Sequence, residues 1–306
     1  MHLLFEPGFL SNQPVQGALV IGSIVAIVSA VVGTFVVLRS QSFAGHALTD
    51  VATTGGAAAT YYSVSVLAGF VSASLIGAGS IEAIGADRVR RRDTATGIVL
   101  GAATGLSALY LFLDSTSTTT GASQQILFGD IFSVASSTVV QVVVLGAAIL
   151  IVIACLWRPL LLSAVSQEVA AARGIPTRLV GLAFTLTLAV AVGLTAIAIG
   201  SILSTALLIG PAASALRVTR TVTRAMAVAC VLGIGATWLG ILFAYDSPYW
   251  SSSGDPLPVS FFIVAIVVFT YLVTCLPFLA RRRDRRSVTP PPPRSPAVLP
   301  AVLEGR

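Results

Sequence analysis

Long apolar runs, separated by short polar connections, dominate the chain. A membrane-spanning helix needs about 20 consecutive apolar residues. Six runs have that length or come close to it: Gln16–Leu38, Thr94–Leu113, Ser137–Leu156, Leu179–Ile199, Ala225–Ala244 and Pro258–Leu279. This pattern predicts an all-α protein that crosses a membrane several times.

Two further regions are apolar, but neither has the length and composition of a single regular membrane span. Ala47–Ile81 has no basic residue and is too long for a single span, which predicts two short helices with a turn near Tyr61–Ser63. Ser201–Leu216 is short and contains Gly210 followed by Pro211, which predicts a kinked or broken helix. With these regions the chain is expected to make about nine crossings.

The arginines indicate how these crossings are oriented. All 18 basic residues are arginines, since the sequence contains no lysine. If Arg39 is in the cytoplasm, nine alternating crossings bring every arginine to that side. Because basic residues near span ends mark the cytoplasmic face, we expect the N-terminus outside and the C-terminus in the cytoplasm. Met1–Val15 lacks the basic region of a signal peptide, so the first span is expected to be retained.

Composition agrees with a membrane protein and excludes several kinds of enzyme. Hydrophobic residues make up 56% of the chain and charged residues 10%, whereas soluble domains carry about 25% charged residues. Without lysine the chain has neither a Walker A motif nor a Schiff-base nucleophile, so any ATP hydrolysis requires a separate subunit. Cys155, Cys230 and Cys275 lie in apolar runs and are expected to be small buried side chains rather than disulfide partners or metal ligands.

The most informative polar positions are His46 and Asp50, at the start of the second predicted span. Ionisable groups in membrane segments are energetically unfavourable and usually functional. Their spacing places an imidazole and a carboxylate on one helix face, and this donor pair suits Mn²⁺, Zn²⁺ or Fe²⁺ better than Cu⁺. A His–Asp ion pair that stabilises a buried turn is the alternative interpretation. The other histidine, His2, is expected to be incidental.

Several polar segments are expected on the cytoplasmic side. Trp157–Arg178 is the longest predicted internal connection, and its helix-start signal, helix-forming residues and Gly174 predict a short exposed helix over Ser166–Arg173. Such a helix can dock on a partner. After the membrane domain, residues 1–280, the segment 281–306 begins RRRDRR and continues with four prolines, which predicts a basic, disordered tail.

A group of acidic residues accompanies the arginines that precede the fourth predicted span. Glu82, Asp87 and Asp93 flank this arginine cluster in the sequence. Opposite charges at such positions are typical of solvated helix ends, so we expect these residues to form surface ion pairs.

Short patches along the chain resemble the metal-ion ABC transporter permeases of the manganese, zinc and iron type. They are Phe35–Arg39, Ser42–Asp50, Arg92–Gly97, Leu127–Gly129, Glu168–Pro176 and Leu207–Ala213. The similarity covers roughly residues 15–280. It implies a multi-pass protein of the bacterial cytoplasmic membrane with a type II ABC importer fold, related to the cobalamin and siderophore permeases. It also implies a homodimer around a central path, with cytoplasmic ABC ATPase subunits and an extracytoplasmic metal-binding protein as partners.

The resemblance also implies roles for individual residues. Glu168, Ala171, Arg173 and Gly174 match the cytoplasmic helix that couples the permease to its ATPase. His46 and Asp50 match the metal-coordinating pair, but in interchanged order, since the family usually has aspartate first and histidine second. A helix face can present the same two donors in either order.

The sequence therefore predicts a transport subunit, not an enzyme, that moves manganese, zinc or iron inward while a partner hydrolyses ATP. We expect no permanently bound cofactor, no nucleic-acid partner, and membrane lipid around the protein. A siderophore or cobalamin permease would need a wide path and no metal pair. A secondary exporter would show two similar halves, yet residues 1–150 and 151–280 show no repeat. A membrane enzyme would need clustered catalytic residues.

Overall fold

The computed structural model describes residues 13–85, 89–117, 126–129, 131–132, 136–249 and 257–286. His2, Asp87 and the predicted tail beyond Arg286 lie outside these ranges. The helices are α1 (Gln13–Leu38), α2 (Ser42–Tyr61), α3 (Val66–Gly85), α4 (Val89–Ser117), α5 (Ser136–Cys155), α6 (Trp157–Val165), α7 (Gln167–Ala172), α8 (Thr177–Ile199), α9 (Ser201–Val218), α10 (Val222–Asp246) and α11 (Val259–Arg286). A 3₁₀ turn, Ser247–Tyr249, follows α10. Within the described ranges there is no β-strand.

The predicted all-α membrane architecture is confirmed. Seven of the described helices are long and apolar enough to cross a membrane. Two more long helices, α2 and α9, carry a larger share of polar and small residues. Together they make the expected set of about nine long helices, in the part of the chain that the structure describes. The last of them, α11, continues to Arg286, so residues 281–286 of the predicted tail are helical.

Burial separates the helices into a centre and a periphery. Most of α1 and α8 is buried, whereas most of α4, α5 and α11 is exposed. The exposed face of α5 carries Val140, Val144 and Ile151, and that of α11 carries Phe269 and Leu272. Large apolar side chains directed away from the bundle are typical of surfaces that contact lipid acyl chains.

Small residues allow the central helices to approach closely. A Cβ atom added at Gly33 of α1 would overlap the carbonyl group of Leu208 on α9. Gly55 of α2 and Gly69 of α3 face each other in the same way, each against the backbone of the other. Such contacts bring two backbones together. In a membrane, where lipid tails are as apolar as the helices, close van der Waals packing of this kind drives helix association.

The turns between the first helices follow one pattern. Ser40 and Ser63 have positive φ angles of 54° and 56° and follow the last residues of α1 and α2. After Ser63, the Val64 amide donates to the carbonyl oxygen of Ala59 at 2.8 Å, which is the Schellman arrangement of a helix C-terminus. The turn predicted near Tyr61–Ser63 is therefore present.

Helix α9 is not broken at Gly210 and Pro211, where the sequence predicted a kinked or broken span. It runs continuously from Ser201 to Val218 with Pro211 inside it. Proline removes one backbone donor and leaves the Leu207 carbonyl without its usual partner, but the neighbouring helices α1, α10 and α11 pack along α9 and support it. Tertiary packing thus overrides the local effect of Pro211.

The helix connections lie at two opposite ends of the bundle. The end that holds the α1–α2, α3–α4, α5–α8 and α9–α10 connections carries Arg39, Arg92, Arg158, Arg178 and Arg217. We refer to it as the arginine-rich end.

The close contact between α2 and α3 can be tested with two alanine substitutions. Gly55→Ala places a methyl group against the Gly69 carbonyl and the Ala73 side chain, so we expect a loss of about 1–3 kcal/mol of stability. Gly79→Ala on α3 meets no atom within 4 Å and should leave stability unchanged or slightly raised. Thermal unfolding of the purified protein in detergent measures both; equal melting temperatures for the two variants would contradict the packing.

Candidate functional site

Helix α2 places the two predicted metal donors on its least covered face. His46 is exposed and Asp50 is partly buried. Asp50 lies about 12 Å into α2, measured along the helix axis from its first residue, Ser42. Among the described residues, neither side chain makes a hydrogen bond or an ion pair, with the other or with a third residue. The two groups still interact electrostatically through space, so the His–Asp pair remains the alternative interpretation to a metal site.

The neighbours of α2 define where these donors point. Thr54 faces α4, because its hydroxyl donates to the carbonyl oxygen of Ala103 at 2.9 Å. Gly45 faces α9, next to Leu208. Successive helix residues turn by about 100°, so His46 and Asp50 lie between these two directions. The imidazole and the carboxylate thus line the side of α2 between α4 and α9.

A hydroxyl network attaches α2 to α4 beside Asp50. The Thr54 hydroxyl lies 2.7 Å from the Ser107 hydroxyl on α4, and Ser107 also donates to the carbonyl oxygen of Asp50 at 3.4 Å. Thr53, by contrast, only donates within its own helix, to Thr49. Ser107 was not singled out from the sequence, since a lone serine in an apolar run carries no signal of its partner.

The described part of one chain supplies few metal ligands. It contains no group of three or more His, Cys, Asp or Glu side chains that could together hold a metal ion. A cation between α4 and α9 would therefore meet two side-chain donors from one subunit, and its remaining ligands would come from water, backbone carbonyl groups or another copy of the chain.

The predicted coupling segment consists of α6 and α7, which meet at Ser166. Ser166 has an extended backbone, and its hydroxyl accepts a hydrogen bond from the Val169 amide at 3.3 Å, which caps α7. At the other end Gly174 has a φ of 76°. The Ile175 amide donates to the Ala170 carbonyl at 3.1 Å and the Gly174 amide to Ala171 at 2.9 Å, again a Schellman motif.

All four residues predicted to contact an ATPase are on the surface of this segment. Glu168, Ala171, Arg173 and Gly174 are exposed, whereas Ala170 is buried. The structure adds two apolar residues that sequence analysis missed: Val165 is 84% exposed and Val169 is 51% exposed. Exposed apolar side chains outside the membrane-spanning helices are typical of a surface that binds another protein. Their exposure could not be foreseen, because valine in an amphipathic helix is more often buried.

At the α3–α4 connection, Glu82 was expected to form a surface ion pair, but its ion pair is largely covered. Glu82 binds Arg92, but their side chains are only 18% and 22% exposed. Both also bond the fully buried Thr185 of α8: the Arg92 guanidinium donates to the Thr185 hydroxyl at 2.6 Å, and this hydroxyl lies 2.7 Å from the Glu82 carboxylate. This pair is thus part of the interior, because α8 covers it.

Helix α4 has an unusual outward face. Gly97, Gly101 and Gly105 follow each other at intervals of one helical turn, and a Cβ atom added at any of them would meet no atom within 4 Å. This face points away from α2, since Ala103 and Ser107 face α2. The same helix also exposes Ile98, Leu109 and Phe112, so its outward surface combines a row of glycines with large apolar side chains.

The cysteines depart from expectation at one position. Cys155 is exposed, so the prediction that it is buried is wrong, because α5 is peripheral. Cys230 and Cys275 are partly buried, and Arg217 donates to the Cys275 sulfur at 2.9 Å.

Known proteins resemble this chain over most of its length. The model of the ABC 3 transport family matches residues 11–276. The manganese transport system membrane protein MntC of Listeria monocytogenes is 26% identical over 243 residues, which cover 79% of this chain and 86% of that protein. The probable iron transport system membrane protein of Haemophilus influenzae is 25% identical over 266 residues, 86% of this chain and 96% of that protein.

A solved structure has the same fold. PsaBC from Streptococcus pneumoniae in complex with Fab matches with a TM-score of 0.73 and 25% identity, over 88% of this chain and 93% of the matched chain. The family match spans nearly all of the described helices, and the helical architecture agrees with that of the solved relative. The chain therefore belongs to the ABC 3 transport family and is a membrane permease of the metal-ion ABC transporter type.

Proposed function

We propose that this chain is the permease subunit of an ABC importer that carries a divalent transition metal, with Mn²⁺ as the first candidate, into the cytoplasm. The observation that carries the proposal is the pair His46 and Asp50, whose side chains make no hydrogen bond or close ion pair within the described residues and lie on an open face of α2. Imidazole and carboxylate donors suit Mn²⁺, Zn²⁺ and Fe²⁺. Relatives named for manganese and for probable iron transport support this class of cargo, and do not favour a siderophore permease or a secondary exporter.

The small number of donors suits transport. A conducting site must bind an ion well enough to admit it and weakly enough to release it. Two donors per subunit meet that requirement better than a closed cage of four protein ligands, which is typical of structural metal sites.

The arginine-rich end is proposed to face the cytoplasm, since basic residues near span ends remain on that side. ATP hydrolysis is assigned to separate ABC subunits, because the chain has no lysine for a Walker A motif. Those subunits would dock on Glu168, Ala171, Arg173 and Gly174 of the α6–α7 segment. An extracytoplasmic metal-binding protein would deliver the metal at the opposite end.

A second copy of the chain is proposed to close the path. The His46–Asp50 face is open in one subunit, and two subunits would supply four side-chain donors around a common axis. The row of Gly97, Gly101 and Gly105 on α4 supports this assembly, because small residues let helices of two subunits approach closely.

Transport assays with substituted donors test the metal path. His46→Ala and Asp50→Ala should each lower ⁵⁴Mn²⁺ uptake at least about tenfold, because even changes beside metal ligands lower affinity 10–100-fold. The double exchange His46→Asp with Asp50→His retains both donors on the same face and should keep most of the activity. Phe43→Ala, on the same exposed face without a donor, is the matched control. Undiminished uptake by both alanine variants, at equal protein levels, would refute the assignment.

Binding of the ATPase subunit tests the coupling segment. Val169→Asp adds a charge to the exposed apolar surface and should abolish co-purification of the ATPase with the permease. Gly174→Ala should weaken it, since the positive φ at this position costs a residue with a side chain about 1–2 kcal/mol. Val218→Asp is the control, because Val218 is 64% exposed at the arginine-rich end but lies on α9. Normal co-purification of Val169→Asp would show that the ATPase binds elsewhere.

The oligomeric state tests the α4 face. Gly101→Trp should convert a dimer into a monomer, since the indole prevents close approach, whereas Val144→Trp on the exposed face of α5 should leave the dimer intact. Mass photometry of the detergent-solubilised protein distinguishes the two states. Dimers in both variants would place the interface on another helix.

A further inference from the structure

Thr185 of α8 links two helices that carry opposite charges. Its hydroxyl accepts from Arg92 of α4, and its single proton is shared between the Glu82 carboxylate of α3 at 2.7 Å and the Gly181 carbonyl of its own helix at 3.0 Å. Because Thr185 is fully buried, its hydroxyl fixes the position of the ion pair relative to α8. Three helices thus meet at a single hydroxyl group near the arginine-rich end.

Arg39 contacts Phe184, the residue before Thr185 on α8. Its guanidinium lies 5.3 Å from the ring centroid of Phe184 and donates to the Ser163 hydroxyl of α6 at 2.7 Å. Burial lowers the pKa of Arg39, the Arg92 charge lowers it further, and the Glu82 charge raises it. Arg39 is therefore close enough to sense the Glu82–Arg92 pair as well as the proposed coupling segment.

The α6–α7 segment packs on other helices than α3 and α4. Helix α7 packs on α6 and α8, and α6 packs on α1, α5 and α8. Among the helices of the described ranges, a displacement of this segment therefore reaches α3 and α4 mainly through α1, α8 and the turn that holds Arg39. Two polar groups lie along that route, Arg39 with Ser163 and Thr185 with Glu82 and Arg92. They are linked by the charge interaction of Arg39 with the Glu82–Arg92 pair and by Phe184, which Arg39 contacts and which precedes Thr185.

Helix α4 extends the connection to the metal donors. Ser107 lies about 22 Å along the helix axis from Arg92 and bonds Thr54 and the Asp50 carbonyl of α2. A tilt of α4 at Arg92 would therefore move the backbone that carries Asp50.

The connection also has unused hydrogen-bonding groups and space. The Nε atoms of Arg39 and Arg92 and the Oε1 atom of Gln41 are buried without partners, and buried polar groups are rarely left so. A cavity of about 260 Å³ separates the α1–α2 turn from the α6–α7 segment, lined by Arg39, Gln41, Ser163 and Gln167 among others. This cavity leaves space beside the Arg39 guanidinium and Gln41.

We propose that Glu82, Arg92 and Thr185, together with Arg39 and Ser163, are positioning residues that transmit movement of the α6–α7 segment to α4 and so to the Asp50 region of α2. This inference rests on the proposed function, because it needs an ATPase that moves the segment. It adds residues that touch neither the metal nor the ATPase.

Coupling ratios of the reconstituted permease–ATPase complex test the proposal. Thr185→Val keeps the side-chain shape and removes the hydroxyl, and it should lower the Mn²⁺ transported per ATP hydrolysed at least about fivefold, the lower range of coupling between sites. Thr187→Val is the matched control, since the Thr187 hydroxyl only donates to Ala183 of its own helix. It should retain the wild-type ratio.

Two further variants separate transmission from folding. Ser163→Ala removes the acceptor of Arg39 and should lower the same ratio while the ATPase still co-purifies. Glu82→Gln should lower it too, and Thr185→Val should add no further loss to Glu82→Gln, because both act on one network. A loss of uptake in strict proportion to protein or ATPase content would mean that the residues only support the fold.

The two proposals fail in different ways. If the wild-type complex shows no ATP-dependent Mn²⁺ uptake, the proposed function is wrong. If the wild type transports Mn²⁺ and Thr185→Val and Ser163→Ala keep its ratio of metal to ATP, the positioning role is wrong.

Discussion

The absence of water from the membrane interior is the constraint on which this structure depends. Backbone groups there must bond within the chain, so the apolar runs form helices. Side-chain hydroxyls obey the same rule: Thr34, Thr49 and Thr53 donate to carbonyl groups one turn earlier in their own helices. Others connect helices, as Ser29 of α1 does with Thr195 of α8 at 3.0 Å.

Against this background the unpaired polar groups stand out. Exposed His46 and partly buried Asp50 make no hydrogen bond within the described residues, on a helix whose buried Thr49 and Thr53 are both hydrogen-bonded. A polar pair in a membrane segment is stable when it faces water, an ion or another protein surface. The proposed metal path and second subunit would supply such surroundings. The same reasoning applies to the cluster around Thr185, where Arg92 binds Glu82, and to nearby Arg39, since the Nε atoms of both arginines are buried without a partner.

The structure divides the polar residues into three regions with different proposed tasks. Donors lie along α2, an exposed surface lies on α6 and α7, and the Thr185 cluster lies between them. Under the proposed function, the energy of ATP hydrolysis in a partner subunit must reach a distant ion site through packed helices, and the three regions would bind the partner, transmit the movement and line the metal path. Buried, hydrogen-bonded contacts suit this transmission better than exposed ion pairs, which are weak and screened by salt.

The sequence alone determined the helical membrane fold, the turn after Tyr61, the proposed metal donors and the helix before Gly174. These features depend on local properties: the length of apolar runs, the i, i+4 spacing of His46 and Asp50, and the capping preferences of serine and glycine. Only the tertiary structure decided that α9 continues through Pro211, that Cys155 is exposed, that Ser107 holds α2 beside Asp50, and that Thr185 covers the Glu82–Arg92 pair. Each of these depends on which helix lies next to the residue, and contacts between helices distant in sequence leave no periodic pattern in a single chain.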